Sequence, residues 1–286
     1  VIDLSLHGSL HTAGLEHALT AGVQYHDVRN RFQDLAFNYA GTGNVQGTLI
    51  VPSAPALTGT HTDRDARSSE AYVRDAITFD ERNTLWLGLR YTHQDVDTVR
   101  TDGSAPLSYS QSYAAPWLAF SHKLAGGTLL YASWGTGYEA DLAPNNPRYI
   151  NHGELLSALR SQQFELGAKG ALEHGAWSLA AFDIQRPVSA SNGPCDVANS
   201  CVWQRDGEVV HRGIDGSLST RVGAWSLAAG AMALHARREG SATAALNGLR
   251  PPNVPAYTLR LQLAYRVDSV PGLELLATGA YDSERI

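Results

Sequence analysis

Two groups of residues have the types that bind metals. His7 and His11 share one side of the alternating run "VIDLSLHGSLHT", and His61, Asp63 and Asp65 alternate in "HTDRD". The first pair fails on distance, because residues four apart on an extended strand lie about 13 Å from each other, at roughly 3.3 Å per residue. Those histidines are expected to line a polar surface instead. The second group lacks the glycine turn and closing glutamate of a calcium loop and reads as part of a long solvated loop. Nucleophile elbows of the Gly-x-Ser-x-Gly kind, phosphate-binding loops and dinucleotide-binding glycine patterns are absent; "GTGY" and "GTGN" have neither the spacing nor a following helix. No enzyme, metal centre or cofactor is expected. Cys195 and Cys201 lie close together in a Gly/Asn/Ser-rich stretch, which suits a small disulfide loop in an oxidising compartment and nearly as well a reduced pair.

The elements that must position these residues are strands. Of 286 residues 43% are apolar and only 17% charged, and 27 glycines with 12 prolines favour many turns over long helices. The formal charge of -6, with scattered basic residues, argues against a nucleic-acid surface. No apolar run reaches the length of a membrane helix, but strands that are only half apolar escape that test. The chain opens directly in strand pattern on "VIDLSLHGSL", without a start methionine, a basic leader or an apolar signal core, and reads as an excised piece of something longer.

Alternation with period two is the dominant signal. Ile2, Leu4, Leu6 and Leu10 oppose Asp3, Ser5, His7, Ser9 and His11. Leu85, Leu87, Leu89 and Tyr91 oppose Thr84, Arg90 and Thr92, and Leu259, Leu261, Leu263 and Tyr265 oppose Thr258, Arg260, Gln262 and Arg266. In "LRSQQFELGAKGAL" the split sets Phe164, Leu166 and Ala168 against Gln163, Glu165 and Lys169. Twelve strands are predicted in all, with "GELLSALRSQQ" the one stretch that could hold a short turn of helix. Short turns at "HTAGLE", "DERN", "LAGG", "EHG", "RVG" and "DSVPG" alternate with long links near 30–66, 99–111, 140–158, 187–206 and 238–254. That rhythm fits an antiparallel transmembrane β-barrel better than a Greek-key sandwich. The apolar sides then face hydrocarbon, and Gln163, Glu165 and Lys169 face a wide hydrated interior. Tyr25, Tyr91, Trp134, Tyr138, Trp177, Trp225, Tyr257 and Tyr265 lie toward strand ends, as aromatic girdles do.

The stretch "SQQFELGAKGAL" through "WSLAAFDIQRP" and "GEVVHRGIDGSLSTR" resembles the distal barrel half of TonB-dependent siderophore receptors. The resemblance rests on Gln163, Glu165, Gly167 and Lys169, then Phe182, Asp183 and Ile184, then Arg212, Gly213, Ile214 and Asp215. "LLYASWGTGYEA", "LWLGLRYTHQD", "EHALTAGVQYH" and "PPNVPAYTLRLQLAYR" extend it over nearly the whole chain. The resemblance implies a 22-stranded barrel in the bacterial outer membrane, plugged by an N-terminal domain and energised by TonB. Residues 1–286 are then a partial barrel domain, about twelve consecutive strands from its middle and later part. A plug, a TonB-contacting segment and the last strands with their terminal aromatic residue are expected elsewhere in a longer parent, without which this piece could not transport.

The implied function is ferric siderophore uptake, with the siderophore, the TonB complex and outer-membrane lipid as partners and no nucleic acid. Large anionic or catecholate complexes are gripped by aromatic faces and arginine forks. The candidates here are Phe37, Tyr39, Arg64, Arg148, Tyr149, Trp203 and Arg205. Two alternatives stay within barrels: a receptor of the same family for haem, cobalamin or another nutrient, and a passive porin. A soluble β-sandwich binding module is the alternative from another class.

Overall fold

The computed structural model describes residues 1–285. Twelve strands follow one another: β1 (Ile2–Thr12), β2 (Leu15–Asn30), β3 (Thr62–Thr78), β4 (Asn83–Arg100), β5 (Leu107–Lys123), β6 (Leu129–Leu142), β7 (Leu155–Leu172), β8 (Gly175–Asn192), β9 (Val202–Val222), β10 (Trp225–Glu239), β11 (Tyr257–Arg266) and β12 (Glu274–Asp282). They form one sheet whose spatial order is the chain order. Every neighbour pair from β5 to β12 is antiparallel. A Greek-key sandwich would need a crossover, so this topology overturns the soluble-sandwich alternative. Among the described residues β1 and β12 each have one neighbour in the sheet.

The strand count matches expectation, but the strands run farther into the long links than their composition suggested. The second link shrinks to the few residues between Arg100 and Leu107, and Asp63, Arg64 and Asp65 belong to β3 rather than to a loop. The "GELLSALRSQQ" stretch is not helical either. Leu155–Gln163 is the start of β7, where cross-strand bonding to β6 overrides a weak local preference, and the one helical turn of the described residues is the 3-10 turn Ala244–Leu246.

The chain divides into two compact units, one of Val1–Leu4, Val23–Ala71 and Tyr91–Tyr113, the other of Ser5–Gly22, Tyr72–Arg90 and everything from Ala114 onward. The second unit carries the clearest two-faced sheet. Registers join Leu166, Ala181, Ile214, Ala233 and Tyr257 into one transverse row across β7 to β11. Four more rows follow toward the short turns, through Leu179 and Leu259, through Leu218 and Leu261, through Leu227 and Leu263, and finally Val222, Trp225, Tyr265 and Leu275. None of these five rows holds a charge on β7 to β12. The next row toward the long links ends the apolar run abruptly, with Asp183, Arg212 and His235, and Arg212 Nε meets Asp183 Oδ2 at 2.6 Å.

On β9 the apolar run spans Ile214–Val222. That length is close to the roughly 9–11 residues a tilted transmembrane strand needs. Its side chains are not packed away: Leu179, Ile214 and Leu259 are each about half exposed. The buried apolar residues of this unit lie elsewhere: Ala143, Tyr149, Cys201, Val209, Val210 and Ala236 beyond the charged row, and Ala264 on the other face of β11. A water-soluble sheet would bury its leucine rows against a second layer, whereas a lipid-facing sheet leaves them bare. Aromatics mark the lower edge, where the Trp225 and Tyr265 rings meet at a tilt of 42° with centroids 4.5 Å apart.

The opposite face is polar and its groups satisfy each other. Tyr131 Oη donates to Glu165 Oε1 at 2.6 Å, Gln163 Nε2 donates to Glu165 Oε2 at 3.2 Å, and Lys169 Nζ lies 5.7 Å from the Tyr131 ring centroid. Gly167 lets that ring lie flat on the sheet, since a Cβ there would meet it at 2.4 Å. The split between Phe164, Leu166 and Ala168 and Gln163, Glu165 and Lys169 is thus shared by the neighbouring strands of this unit and is not peculiar to β7.

Candidate functional site

The long links end in ordered structure, and each unit holds its own set. In the second unit the β6–β7 link (143–154) is sewn to the β8–β9 link (193–201). Asn199 N donates to Pro147 O at 2.9 Å, Ser200 N to Arg148 O at 3.0 Å, and Ile150 N to Cys201 O at 2.9 Å. Cys195 and Cys201, with Cα atoms 5.0 Å apart, are joined through their sulfurs and close a small ring on this seam. Asn199 and Cys195 both adopt positive φ, 55° in each case, a left-handed conformation that asparagine takes more readily than cysteine.

Beneath the seam two carboxylates act as anchors. Asp141, only 5% exposed, accepts Trp203 Nε1 at 2.9 Å and Ser189 Oγ at 2.6 Å. Asp206, 8% exposed, accepts Ser241 Oγ and Ala242 N, both at 2.7 Å, and pairs with Arg238. The Ser241 hydroxyl, with help from the Ala242 amide and the Arg238 guanidinium, holds the Asp206 carboxyl below the usual carboxylate range against the opposing effect of burial. Asp206 lies well beyond the apolar run of β9, so its clamp fixes the β10–β11 link outside the lipid-facing band. Nothing in the local sequence marks either anchor, because their partners lie 32 to 62 residues away along the chain.

Of the residues singled out from the sequence, the structure brings Arg148, Tyr149 and Trp203 together in this cluster. Tyr149 is buried, its hydroxyl 2.8 Å from Ser191 Oγ and its ring edge-on to Trp203 at 6.1 Å. Tyr149 and Trp203 therefore pin links to strands, while the Arg148 side chain projects outward and its carbonyl takes the seam's hydrogen bonds. Arg205 is exposed and reaches Ala158 O at 3.4 Å.

In the first unit the β2–β3 link (31–61) starts from Arg31, whose guanidinium grips both oxygens of Asp65 at 2.6 and 2.9 Å, and from a Phe32–His61 stack at 3.8 Å. Asp63 takes the Phe32 amide at 2.9 Å. The "HTDRD" carboxylates thus brace the base of the link, in strand rather than loop. Arg64 is exposed on β3, and Phe37 and Tyr39 stand out on the link above. His7 is engaged by Thr20 Oγ1 at 3.1 Å and by Ser5 Oγ at 3.0 Å. Among the described residues no three His, Cys, Asp or Glu side chains are grouped to hold a metal ion. The arrangement offers exposed aromatic and guanidinium groups on braced links, suited to non-covalent binding.

Comparison with known proteins agrees with this geometry. The family described as TonB dependent receptor-like, beta-barrel, matches residues 2–285. The chain is 22% identical over 211 residues to the ferrioxamine receptor of Yersinia enterocolitica, a match covering 70% of this chain and 28% of that protein. Among solved structures it resembles BauA, the ferric preacinetobactin receptor of Acinetobacter baumannii, with a TM-score of 0.75 and 24% identity over 97% of this chain and 42% of that one. It also resembles FpvA of P. aeruginosa bound to heterologous pyoverdines, with a TM-score of 0.74 and 18% identity over 98% of this chain and 37% of that one. These relatives are receptors rather than enzymes, and the chain spans less than half the length of each. Matched by the family along its length and built as a two-faced antiparallel sheet, the chain belongs to the TonB dependent receptor-like β-barrel family of the bacterial outer membrane.

Proposed function

We propose that this chain forms part of the barrel wall of an outer-membrane receptor that imports ferric siderophores with energy delivered through TonB. The observation that carries the reading is the asymmetry of the sheet. One end is trimmed to tight turns, while the other bears long links braced by Asp141, Asp206 and the Cys195–Cys201 ring. A passive pore gains nothing from an outward rim of this elaboration, whereas a receptor needs a pre-organised surface on which to capture a dilute ligand. The relatives named for ferrioxamine, ferric preacinetobactin and pyoverdines supply the class of cargo.

The test is iron uptake by cells whose own siderophore receptors are deleted and which express the complete parent receptor, with and without a functional TonB complex. Siderophore-bound iron should accumulate only when both are present. Uptake that persists without TonB would point to the porin alternative, and growth rescue by haem or cobalamin alone would point to another cargo within the family.

A further inference from the structure

Two positions of the second unit break the alternation of its outer face. His17 keeps the spacing of Leu19 on β2, and Asp75 that of Val73 on β3. The polar side of β3 and β4 is fixed by other contacts. Arg90 lies over the Tyr72 ring at 5.6 Å, and Gly88 lies beneath Trp117, whose partner Gly135 pairs with Gln163. Asp75 therefore points the other way, to the side of Leu87 and Leu89. Phe79 N donates to Asn83 O at 3.0 Å, which sets Asp75 opposite Leu87 and four residues above the exposed Phe79. Four residues cover about 10 Å along the membrane normal at a tilt near 40°, so the carboxylate sits near the middle of the lipid-facing band.

There His17 Nδ1 and Asp75 Oδ2 meet at 2.7 Å, with side chains 17 and 18% exposed. The other two polar atoms are unmet. Asp75 Oδ1 is buried without a hydrogen-bond partner, and among the described residues His17 Nε2 has none. Hydrocarbon offers no hydrogen bond, and headgroups and water lie at the band's edges. Within hydrocarbon the pair is held neutral overall, and every neutral placing of its protons leaves one donor and one acceptor between Nε2 and Oδ1. Beside the pair runs a largely apolar groove of about 340 Å³, lined by Val73, Asp75, Leu87, Leu89, Leu118 and Trp134. Leu118 and Trp134 pair with each other, and Trp134 with Phe164, so the groove opens on the lipid side.

We propose that this face is a two-fold interface with a second copy of this chain inside the membrane. A two-fold axis sets the imidazole of each copy against the carboxyl of the other. A turn of the Asp75 carboxyl about its Cβ–Cγ bond brings Oδ1 to the partner copy's imidazole, and all four unmet atoms are satisfied at once. Half-exposed Leu87 and Leu89 of each copy then pack along the groove of the other. A different barrel would have to present a matching donor and acceptor at the same depth, whereas a second copy supplies both by symmetry.

The experiment takes the full-length receptor from its membrane in polymer-bounded lipid discs, without detergent, and weighs single particles by mass photometry. Twice the receptor mass is expected. His17→Leu combined with Asp75→Leu should weaken association about tenfold, as loss of two intramembrane hydrogen bonds implies, while the folded barrel's gel mobility stays unchanged. The exchange His17→Asp with Asp75→His should keep the dimer. Leu87→Cys, opposite Asp75, should give a disulfide-linked dimer on oxidation in isolated membranes, since Cys195 and Cys201 are already joined, and Leu261→Cys on β11 should not. A monomer mass for the unaltered receptor, or a dimer as stable without the pair as with it, would overturn the proposal. So would Leu87→Cys cross-linking only to a protein of another mass, which would make the occupant a different membrane protein.

Discussion

Arginine placed at successive positions of β11 offers a direct measure of which face meets lipid. Leu261 sits in the central one of the five apolar rows, paired with Ala229 on β10 and Gly279 on β12, and Tyr257 and Tyr265 lie four residues to either side of it. Four residues cover about 13 Å along a strand and about 10 Å along the membrane normal at a tilt near 40°. Leu261 is therefore close to the bilayer midplane and the two tyrosines are near its edges. Leu261→Arg should cost about 2–4 kcal/mol, Leu259→Arg and Leu263→Arg less, and Tyr257→Arg and Tyr265→Arg about 0–1 kcal/mol. Gln262→Arg points to the polar face between Ala228 and Thr278 and should cost little. The assay is reversible denaturant unfolding of the complete barrel from phospholipid vesicles, followed by tryptophan fluorescence. The reasoning requires a cost that peaks at Leu261 and vanishes at its neighbour Gln262. A flat profile along Leu259, Leu261 and Leu263, or equal costs at Leu261 and Gln262, would refute the facing of the sheet.

Three other consequences concern the braces and the packing on the sheet surface. Breaking the ring with Cys195→Ser should lower the stability of the link seam by roughly 2 kcal/mol, the loop-closure value for so short a ring, and is read by limited proteolysis of the 193–201 link under reducing and non-reducing conditions. Because Ser241, Ala242 and Arg238 lower the folded-state affinity of Asp206 for protons, the clamp contributes in full above the unfolded carboxylate value of about 3.9 and is lost as pH falls through the lower folded value. Hydrogen exchange in the β10–β11 link should accelerate in that acid range in the native protein, and Asp206→Asn should abolish the transition. Gly88→Ala would place a methyl 2.2 Å from the Trp117 indole, which must then leave the sheet surface, so a loss of about 1–3 kcal/mol in barrel stability is expected by the same unfolding assay.

The strand count, the two faces and the short-long rhythm of connections were legible in the sequence for a single reason. A bilayer imposes one rule on every strand, apolar outward and polar inward with a period of two, and the rule repeats along the chain until each weak instance reinforces the next. Leu166, Ile214 and Leu261 obey it with no knowledge of one another. Beyond the row of Asp183, Arg212 and His235 the rule stops applying, since water lies on both sides, and alternation no longer marks where strands end. For that reason Asp63, Arg64 and Asp65 read as loop although cross-strand bonding carries β3 through them, and Leu155–Gln163 read as a turn of helix. The same loss of periodicity hides the braces. Asp206 finds Ser241, and Asp141 finds Trp203, only because the sheet's register brings distant segments side by side, and nothing within several residues of either carboxylate announces it. Candidates chosen by residue type alone therefore divide in two once the fold is known. Tyr149 and Trp203 turn inward to hold links in place, while Phe37 and Tyr39 remain outward on an uncharged frame. Aromatic character was the shared signal, and burial, which the sequence does not carry locally, separates the residues that support the rim from those that can meet a ligand.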